Sequence, residues 1–311
     1  MSGFVVPVTP VPAGVPTADP APARAGRVAL AGLPNAGKSS LLNRLVGEHL
    51  AIVSPRPQAT RLPVVGVRTD PDAQYVFVDL PGLLEPRYAL QRAMRRAAAE
   101  ALEGADVILH LHPAPDAPAP PFAELAGLLR PPRVPVLLAY TQGDRLEPAA
   151  RAALQRRHLV TSAVDGEGID ALLAAIRPLL PVQPPLHDPE DVGTQPLRFF
   201  VTEYLREAAF DLLGDEVPYA VAAEVEEFRE ERRPMYIRVT LLVERESHKA
   251  IVIGAQGRTI RALGTRARER LEALVGAPVY LDLWVKVLAN WRRRPDALAR
   301  LGFPPPDPEN A

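Results

Sequence analysis

The chain has 311 residues, 47% of them hydrophobic and 23% charged, which supplies apolar surface for about two packed cores. Its formal net charge of −1 excludes a uniformly basic or acidic protein, yet residues 228–300 hold 14 Arg and 2 Lys against 8 Asp plus Glu, so a basic partner surface belongs to the C-terminal part. There is no cysteine, which excludes disulfides and thiolate metal sites and fits a reducing compartment.

The first 25 residues are rich in Pro, Val and Ala, with no basic residue before Arg24. Prolines interrupt every apolar stretch, so the segment reads as a disordered extension rather than a signal peptide or a membrane span. From Arg27 to about Leu180 short apolar runs alternate with helical patterns. Strands are predicted at Val28–Ala31, Val64–Arg68, Tyr75–Asp79, Val107–Leu111, Val136–Tyr140 and Leu159–Thr161, with helices at Ala89–Leu102 and Ile169–Leu180 between them. This alternation predicts an α/β domain over residues 26–181, a doubly wound and mostly parallel sheet that binds its ligand beyond the carboxyl ends of the strands. Residues 182–196, which follow Pro181 and include Pro184 and Pro185, read as a linker. A helix at Arg198–Leu213, strands at Ala220–Phe228 and Tyr236–Val243, helices at Ser247–Ile253 and Arg258–Val275 and a strand at Val279–Val287 then predict a smaller α+β module over 197–303. Residues 304–311 are expected to form a loose tail.

Residues 32–39, Gly-Leu-Pro-Asn-Ala-Gly-Lys-Ser, follow the first predicted strand and open a helix. In that setting the loop from Asn35 through Ala36, Gly37, Lys38, Ser39 and Ser40 surrounds phosphates with successive backbone N–H groups, backed by the positive end of the helix. Lys38 is placed to reach the outer phosphates and Ser39 a magnesium ion. The chain has three lysines, Lys38, Lys249 and Lys286, so one of its few compact ammonium groups occupies this slot. Asp79-Leu80-Pro81-Gly82 follows the third predicted strand. Asp79 is placed to hold magnesium through water, and Gly82 to bring its N–H to the γ-phosphate. Thr60, in a polar loop between those motifs, adds a hydroxyl to magnesium when the γ-phosphate is present. Lys38, Thr60 and Gly82 are therefore the candidate catalytic groups.

A base-reading loop is expected at Thr141-Gln142-Gly143-Asp144, where guanine sites usually read Asn-Lys-x-Asp. The Asp144 carboxylate accepts from both the ring N–H and the exocyclic amine of guanine, charge-assisted bonds worth roughly 1.5–3 kcal/mol each. Thr141 replaces part of what Asn does, and Gln142 brings a shorter, uncharged stem to the base. Ser162 and Ala163, after the next strand, supply backbone N–H for the guanine carbonyl oxygen. GTP and GDP are thus the expected ligands, in preference to ATP. Leu83 stands where Ras-like enzymes carry a water-orienting glutamine, which predicts slow turnover. Asn35 either offers its amide oxygen to a potassium ion beside the phosphates or merely caps the turn.

Ile253-Gly254-Ala255-Gln256-Gly257-Arg258 places a GxxG turn between two helices, the clamp by which KH domains hold single-stranded nucleotides. The helix it opens carries Arg258, Arg261, Arg266, Arg268 and Arg270. Together with Asp-Glu-Val-Pro-Tyr at 215–219, Glu-Val-Glu-Glu-Phe at 224–228, Gly-Thr-Arg-Ala-Arg at 264–268, Leu-Trp-Val-Lys-Val at 283–287 and Asn290-Trp291-Arg292, the chain over about residues 26–302 resembles the Era family of GTPases. The resemblance implies a P-loop GTPase domain followed by a type II KH domain. It implies a cytoplasmic enzyme with peripheral membrane contact that assists assembly of the 30S subunit by binding the single-stranded 3′ end of its ribosomal RNA, and a monomer is expected. Ile253, Gly254, Ala255, Gln256, Gly257, Arg258 and Arg261 would then line the RNA groove. Ala255 departs from the family's usual basic residue, and Thr141-Gln142 from its Asn-Lys. Thr141, Gln142 and Leu83 leave open an RNA-binding assembly factor whose nucleotide site is weakened or does not hydrolyse.

Overall fold

The computed structural model describes residues 23–305. Most of the expected N-terminal extension, residues 1–22, lies outside the described residues, as do 306–311 of the expected tail. The boundary at 25 moves inward, because Arg24 and Ala25 already belong to the first strand.

The first half alternates as expected: β1 Arg24–Ala31, α1 Lys38–Val46, β2 Val64–Asp70, β3 Ala73–Asp79, α2 Ala89–Glu103, β4 Val107–Pro113, α3 Phe122–Leu125, β5 Val136–Thr141, α4 Pro148–Gln155, β6 Leu159–Val160 and α5 Ile169–Ile176. The strands form one sheet in the order β2-β3-β1-β4-β5-β6. All pairings are parallel except β2 with β3, so the mostly parallel expectation holds, with one antiparallel edge. Every residue of β3 is buried, the continuous apolar character of a strand covered on both faces. Since β3 and β4 flank β1 on opposite sides, the chain direction of the sheet switches at the carboxyl end of β1, where a ligand crevice opens and where residues 32–39 begin. The helix predicted at Ile169–Leu180 closes its α-helical part at Ile176, and a 3-10 turn over Arg177–Leu179 follows, with Pro178 withholding an amide donor.

Residues 182–196, expected as a linker, run as an ordered strap. Val182 bridges to Arg24, Gly193 to Gly66, and the Gln74 side chain donates to the His187 carbonyl at 2.9 Å while accepting from the Leu186 and His187 amides.

The second half consists of α6 Leu197–Leu212, α7 Val217–Ala220, β7 Ala222–Arg229, β8 Met235–Val243, α8 Glu246–Ile253, α9 Arg258–Val275, β9 Val279–Val287 and α10 Pro295–Arg300. Its sheet is ordered β7-β8-β9, antiparallel between β7 and β8 and parallel between β8 and β9. This is the α+β arrangement of a type II KH module. α9 buries Leu263, Ala267 and Leu271, spaced four apart on one helical face, and packs against α6. Trp291 is wholly buried, and its indole N–H donates to the Ala220 carbonyl at 2.9 Å.

The chain divides into two compact units. One holds the described residues to Ala51, Thr60–Leu84 and Ala98–Thr194; the other holds Ile52–Ala59, Glu85–Ala97 and the residues from Gln195. Two stretches expected in the first domain therefore cluster with the second unit. Within it, Arg206 donates to the Ala59 carbonyl at 2.7 Å and Glu207 accepts from the Val53 amide at 3.0 Å.

His110, midway along β4, is buried beside Phe122, and its Nε2 has no hydrogen-bond partner among the described residues. Burial, with His112 nearby, lowers its pKa to about 4. A histidine depressed below its unfolded value contributes stability that is complete above about pH 6.5 and is lost as pH falls toward the folded value. Thermal melts between pH 7.5 and 5.5 should therefore show a falling midpoint, and His110→Leu should make that slope shallower.

Candidate nucleotide and RNA sites

The loop after β1 turns tightly, with the Ala36 amide donating to the Leu33 carbonyl at 3.2 Å, and α1 starts at Gly37 in the left-handed region with no side-chain cap. The first-turn N–H groups of α1 are thus left for a ligand. Lys38 is buried and folds back on its own loop, its ammonium donating to the carbonyls of Leu33 at 2.8 Å and Gly32 at 3.3 Å. Burial lowers its pKa to about 8, against the opposing pull of Asp79.

Three segments converge beside it. Ser39 Oγ donates to Asp79 Oδ2 at 2.6 Å, Thr60 Oγ1 donates to the same oxygen at 3.2 Å, and the two hydroxyls lie 2.9 Å apart. Asp79 is completely buried, and its Oδ1 has no hydrogen-bond partner among the described residues. Burial raises its pKa to about 6, while Lys38, Ser39 and Thr60 pull it down. Two hydroxyls and a carboxylate with an unmatched buried oxygen form the hard-oxygen donor set that a magnesium ion takes. Gly82 lies against this loop so closely that a Cβ there would fall 2.7 Å from Pro34, so only glycine lets the two backbones approach. Leu83 is buried with Ala29, Ala31, Val78 and Leu80, and its amide donates to the Gly32 carbonyl at 3.1 Å.

The base-reading loop follows β5. Thr141 Oγ1 donates to the Ala36 carbonyl at 2.9 Å, tying this loop to the phosphate loop. Gln142 donates from Nε2 to the Asn35 carbonyl at 2.8 Å and accepts at Oε1 from Arg145 at 2.6 Å. Asp144 is exposed at the start of a 3-10 turn over Gly143–Arg145. The Gly143 amide donates to the Thr161 carbonyl at 3.0 Å, which brings the 161–163 loop alongside. Ser162 Oγ accepts the amides of Val164 and Asp165, both at 3.2 Å, and holds that loop's turn around Ala163. The nucleotide residues expected from the sequence therefore lie at the carboxyl edge of the sheet, on loops, on the last residues of β3 and β5 and on the first turn of α1. Arg145, a cation three residues after Gln142 in the same loop, joins them there.

In the second unit α8 ends at Gly254, Gln256 and Gly257 both take positive φ, and Gly257 caps α9. Ala255, Gln256, Arg258 and Arg261 are exposed around the turn, while Ile253 is half-buried at the end of α8. Arg261 curls back to donate to the Gln256 carbonyl at 2.7 Å. The arginines of α9 divide: Arg266 pairs with Asp211 at 3.1 Å and Arg270 with Glu207 at 2.6 Å, so these two hold α9 to α6 while Arg258, Arg261 and Arg268 are exposed.

Residues 27–142 match the 50S ribosome-binding GTPase family, and residues 216–292 match the KH domain family. The GTPase Era of Halothermothrix orenii is 38% identical over 290 residues, covering 90% of this chain and 98% of that protein. The GTPase Era of Aquifex aeolicus is 37% identical over 299 residues, covering 90% of this chain and 99% of that protein. The chain belongs to the Era family of GTPases. A crystal structure of Era in complex with MgGDPNP and nucleotides 1506–1542 of 16S ribosomal RNA superposes with a TM-score of 0.84 at 35% identity, over 90% of this chain and 99% of that one. The structure of Aquifex aeolicus Era bound to GDP and AlF4⁻ matches with the same TM-score and identity. As an Era-family GTPase the chain joins a GTPase domain to a KH domain, as the sequence resemblance implied. Among the described residues no helix is long and apolar enough to cross a membrane.

The GxxG turn is sterically specified. A Cβ at Gly254 would meet Thr259 Oγ1 at 2.1 Å on a backbone of φ +69°. Gly254→Ala should lower stability by about 2 kcal/mol, read from the urea midpoint.

Proposed function

We propose that this chain is a GTP-driven switch in small-subunit assembly, which takes the single-stranded 3′ end of small-subunit ribosomal RNA on its KH module. The observation that carries this reading is the convergence of Ser39, Thr60 and Asp79 beside the buried Lys38 ammonium. The Era relative bound to MgGDPNP and 16S ribosomal RNA supports it.

Lys38 exchanges its carbonyl partners for phosphate oxygens, which restores full charge compensation to a buried cation. The amides of Asn35, Ala36, Gly37, Lys38, Ser39 and Ser40 donate around the phosphates. Ser39, Thr60 and, through water, Asp79 would hold a magnesium ion, which would supply charge neutralisation at the phosphates. Gly82 offers its amide to the γ-phosphate. Thr60 and Gly82 therefore register whether that phosphate is present, and its loss on hydrolysis releases both loops. Turnover is slow, because Leu83 is packed into the core and no side chain at that position orients water. Thr141 and Gln142 hold the base loop to the phosphate loop, Asp144 reads the guanine edge, and Ser162 and Ala163 line its carbonyl side.

Ile253, Gly254, Ala255, Gln256, Gly257, Arg258 and Arg261 hold RNA, with the α9 N-terminus facing a phosphate. Ala255 contributes no charge, so binding should weaken less steeply with salt than in a relative with a basic residue there. Potassium at the Asn35 amide oxygen is a further part of the proposal; equal turnover in sodium and potassium buffers would remove it. A monomeric state and contact of the basic face with anionic lipid complete it, read by sedimentation equilibrium and by vesicle co-sedimentation.

Titration with fluorescent GDP in magnesium buffer should show competition by GTP and GDP and none by ATP. Failure to bind any nucleotide would leave a constitutive RNA-binding factor. Asp144→Asn should shift preference from guanine to xanthine nucleotides, since an amide donor then meets the xanthine carbonyl; an unchanged preference would remove Asp144 from base reading.

A further inference from the structure

The base loop lacks the lysine of Asn-Lys-x-Asp, and two residues together occupy its place. A glutamine amide has one donating and one accepting end, and at Gln142 both are engaged: Nε2 to the Asn35 carbonyl at 2.8 Å, Oε1 from Arg145 at 2.6 Å. The amide is thereby held across the gap between the base loop and the phosphate loop. Gln142 itself sits at φ 57°, a left-handed conformation that a non-glycine residue adopts at a cost. Arg145 is exposed and spends a charged donor on a neutral amide rather than on a carboxylate.

We propose that Gln142 and Arg145 act as one unit in guanine-nucleotide binding, the Gln142 amide lying over the base while Arg145 locks that amide and supplies the positive charge which the missing lysine would bring. Arg145 is a positioning residue: it touches Gln142 and acts on the nucleotide through it. A flat amide gripped at both ends retains the cover that a long lysine stem gives, and the guanidinium stands one hydrogen bond away from it. The inference rests on the reading of Asp144 as the base-binding carboxylate, because that carboxylate places the guanine edge beside the loop.

The test is the release rate of fluorescent GDP from the full chain in magnesium buffer. Arg145→Ala should release GDP about fivefold faster, the effect of losing a charge-assisted bond at an exposed site. Gln142→Lys introduced into the Arg145→Ala protein should return the rate to within about twofold of the original, since one lysine then provides both cover and charge. The melting temperature of nucleotide-free Arg145→Ala should be unchanged. An unaltered release rate in Arg145→Ala, a double variant no slower than the single one, or a lowered melting temperature would each overturn the proposal. Asp144→Asn in the same assay keeps the two readings apart. If it loses GDP while Arg145→Ala does not, the base site stands and the Gln142–Arg145 unit falls; if the unaltered chain holds no GDP, both fall.

Discussion

The nucleotide half of the molecule is organised around one buried carboxylate. Asp79 ends β3 with no exposed surface, a position that is costly for a charge unless other groups compensate it. Lys38, Ser39 and Thr60 do so, from two other stretches of chain: the first two from the start of α1, the third from the loop before β2. Sheet order makes this possible, since β3 lies directly beside β1 and delivers Asp79 to the mouth of the phosphate loop. One oxygen of Asp79 is matched by two hydroxyls and the other by none. The cluster is therefore satisfied on one side and open on the other, the condition under which an arriving cation and its phosphates stabilise the fold and bind in the same event.

The same backbone device serves both halves. Gly37 before α1 and Gly257 before α9 each take a left-handed conformation with φ 74°, and neither helix carries a side-chain cap. A serine or aspartate cap would satisfy the first-turn N–H groups internally. Its absence leaves those donors available, and the proposed function gives them a nucleotide phosphate in one case and a sugar-phosphate in the other. On that reading two unrelated folds would present phosphate with the same local geometry, the second with Arg258 and Arg261 exposed beside it.

Much of this was legible in the sequence, because period and motif are local properties. Strand β9 was read at its full extent, and the other predicted elements lie within a few residues of their structural limits. What was not legible depended on partners distant in sequence. β1 begins at Arg24 because that residue pairs with Ala73 and bridges Val182, and nothing in an Ala-Pro-Ala-Arg stretch announces either. The strap over 182–196 is ordered by Gln74, more than a hundred residues away, so its prolines read as a linker. Helix α4, Pro148–Gln155, buries none of its residues and packs Leu154 only partly against the core, so a strongly apolar face does not announce it. Among the arginines of α9, composition gave the charge but could not separate Arg266 and Arg270, which pair with carboxylates of α6, from Arg258, Arg261 and Arg268.

The departures from the usual GTPase pattern show how a site absorbs substitution. At position 141 the shorter Thr hydroxyl still reaches the phosphate loop, through the Ala36 carbonyl, so the link between the two loops survives the loss of an asparagine. Position 83 is resolved differently. Leu83 turns inward to join Ala29, Ala31, Val78 and Leu80, and its amide fastens to Gly32, so the segment after Gly82 is held to the phosphate loop by packing and backbone rather than by a polar side chain over the reaction centre. Burying a leucine there adds roughly 1.5–3 kcal/mol to the core, whereas a glutamine in that environment would have to leave it or bury an amide. Stability at the γ-phosphate loop has been gained at the position from which other GTPases direct water. In the proposed function the rate of hydrolysis would then rest on Lys38, Thr60 and the Gly82 amide, which would act on the phosphate instead of on the attacking water.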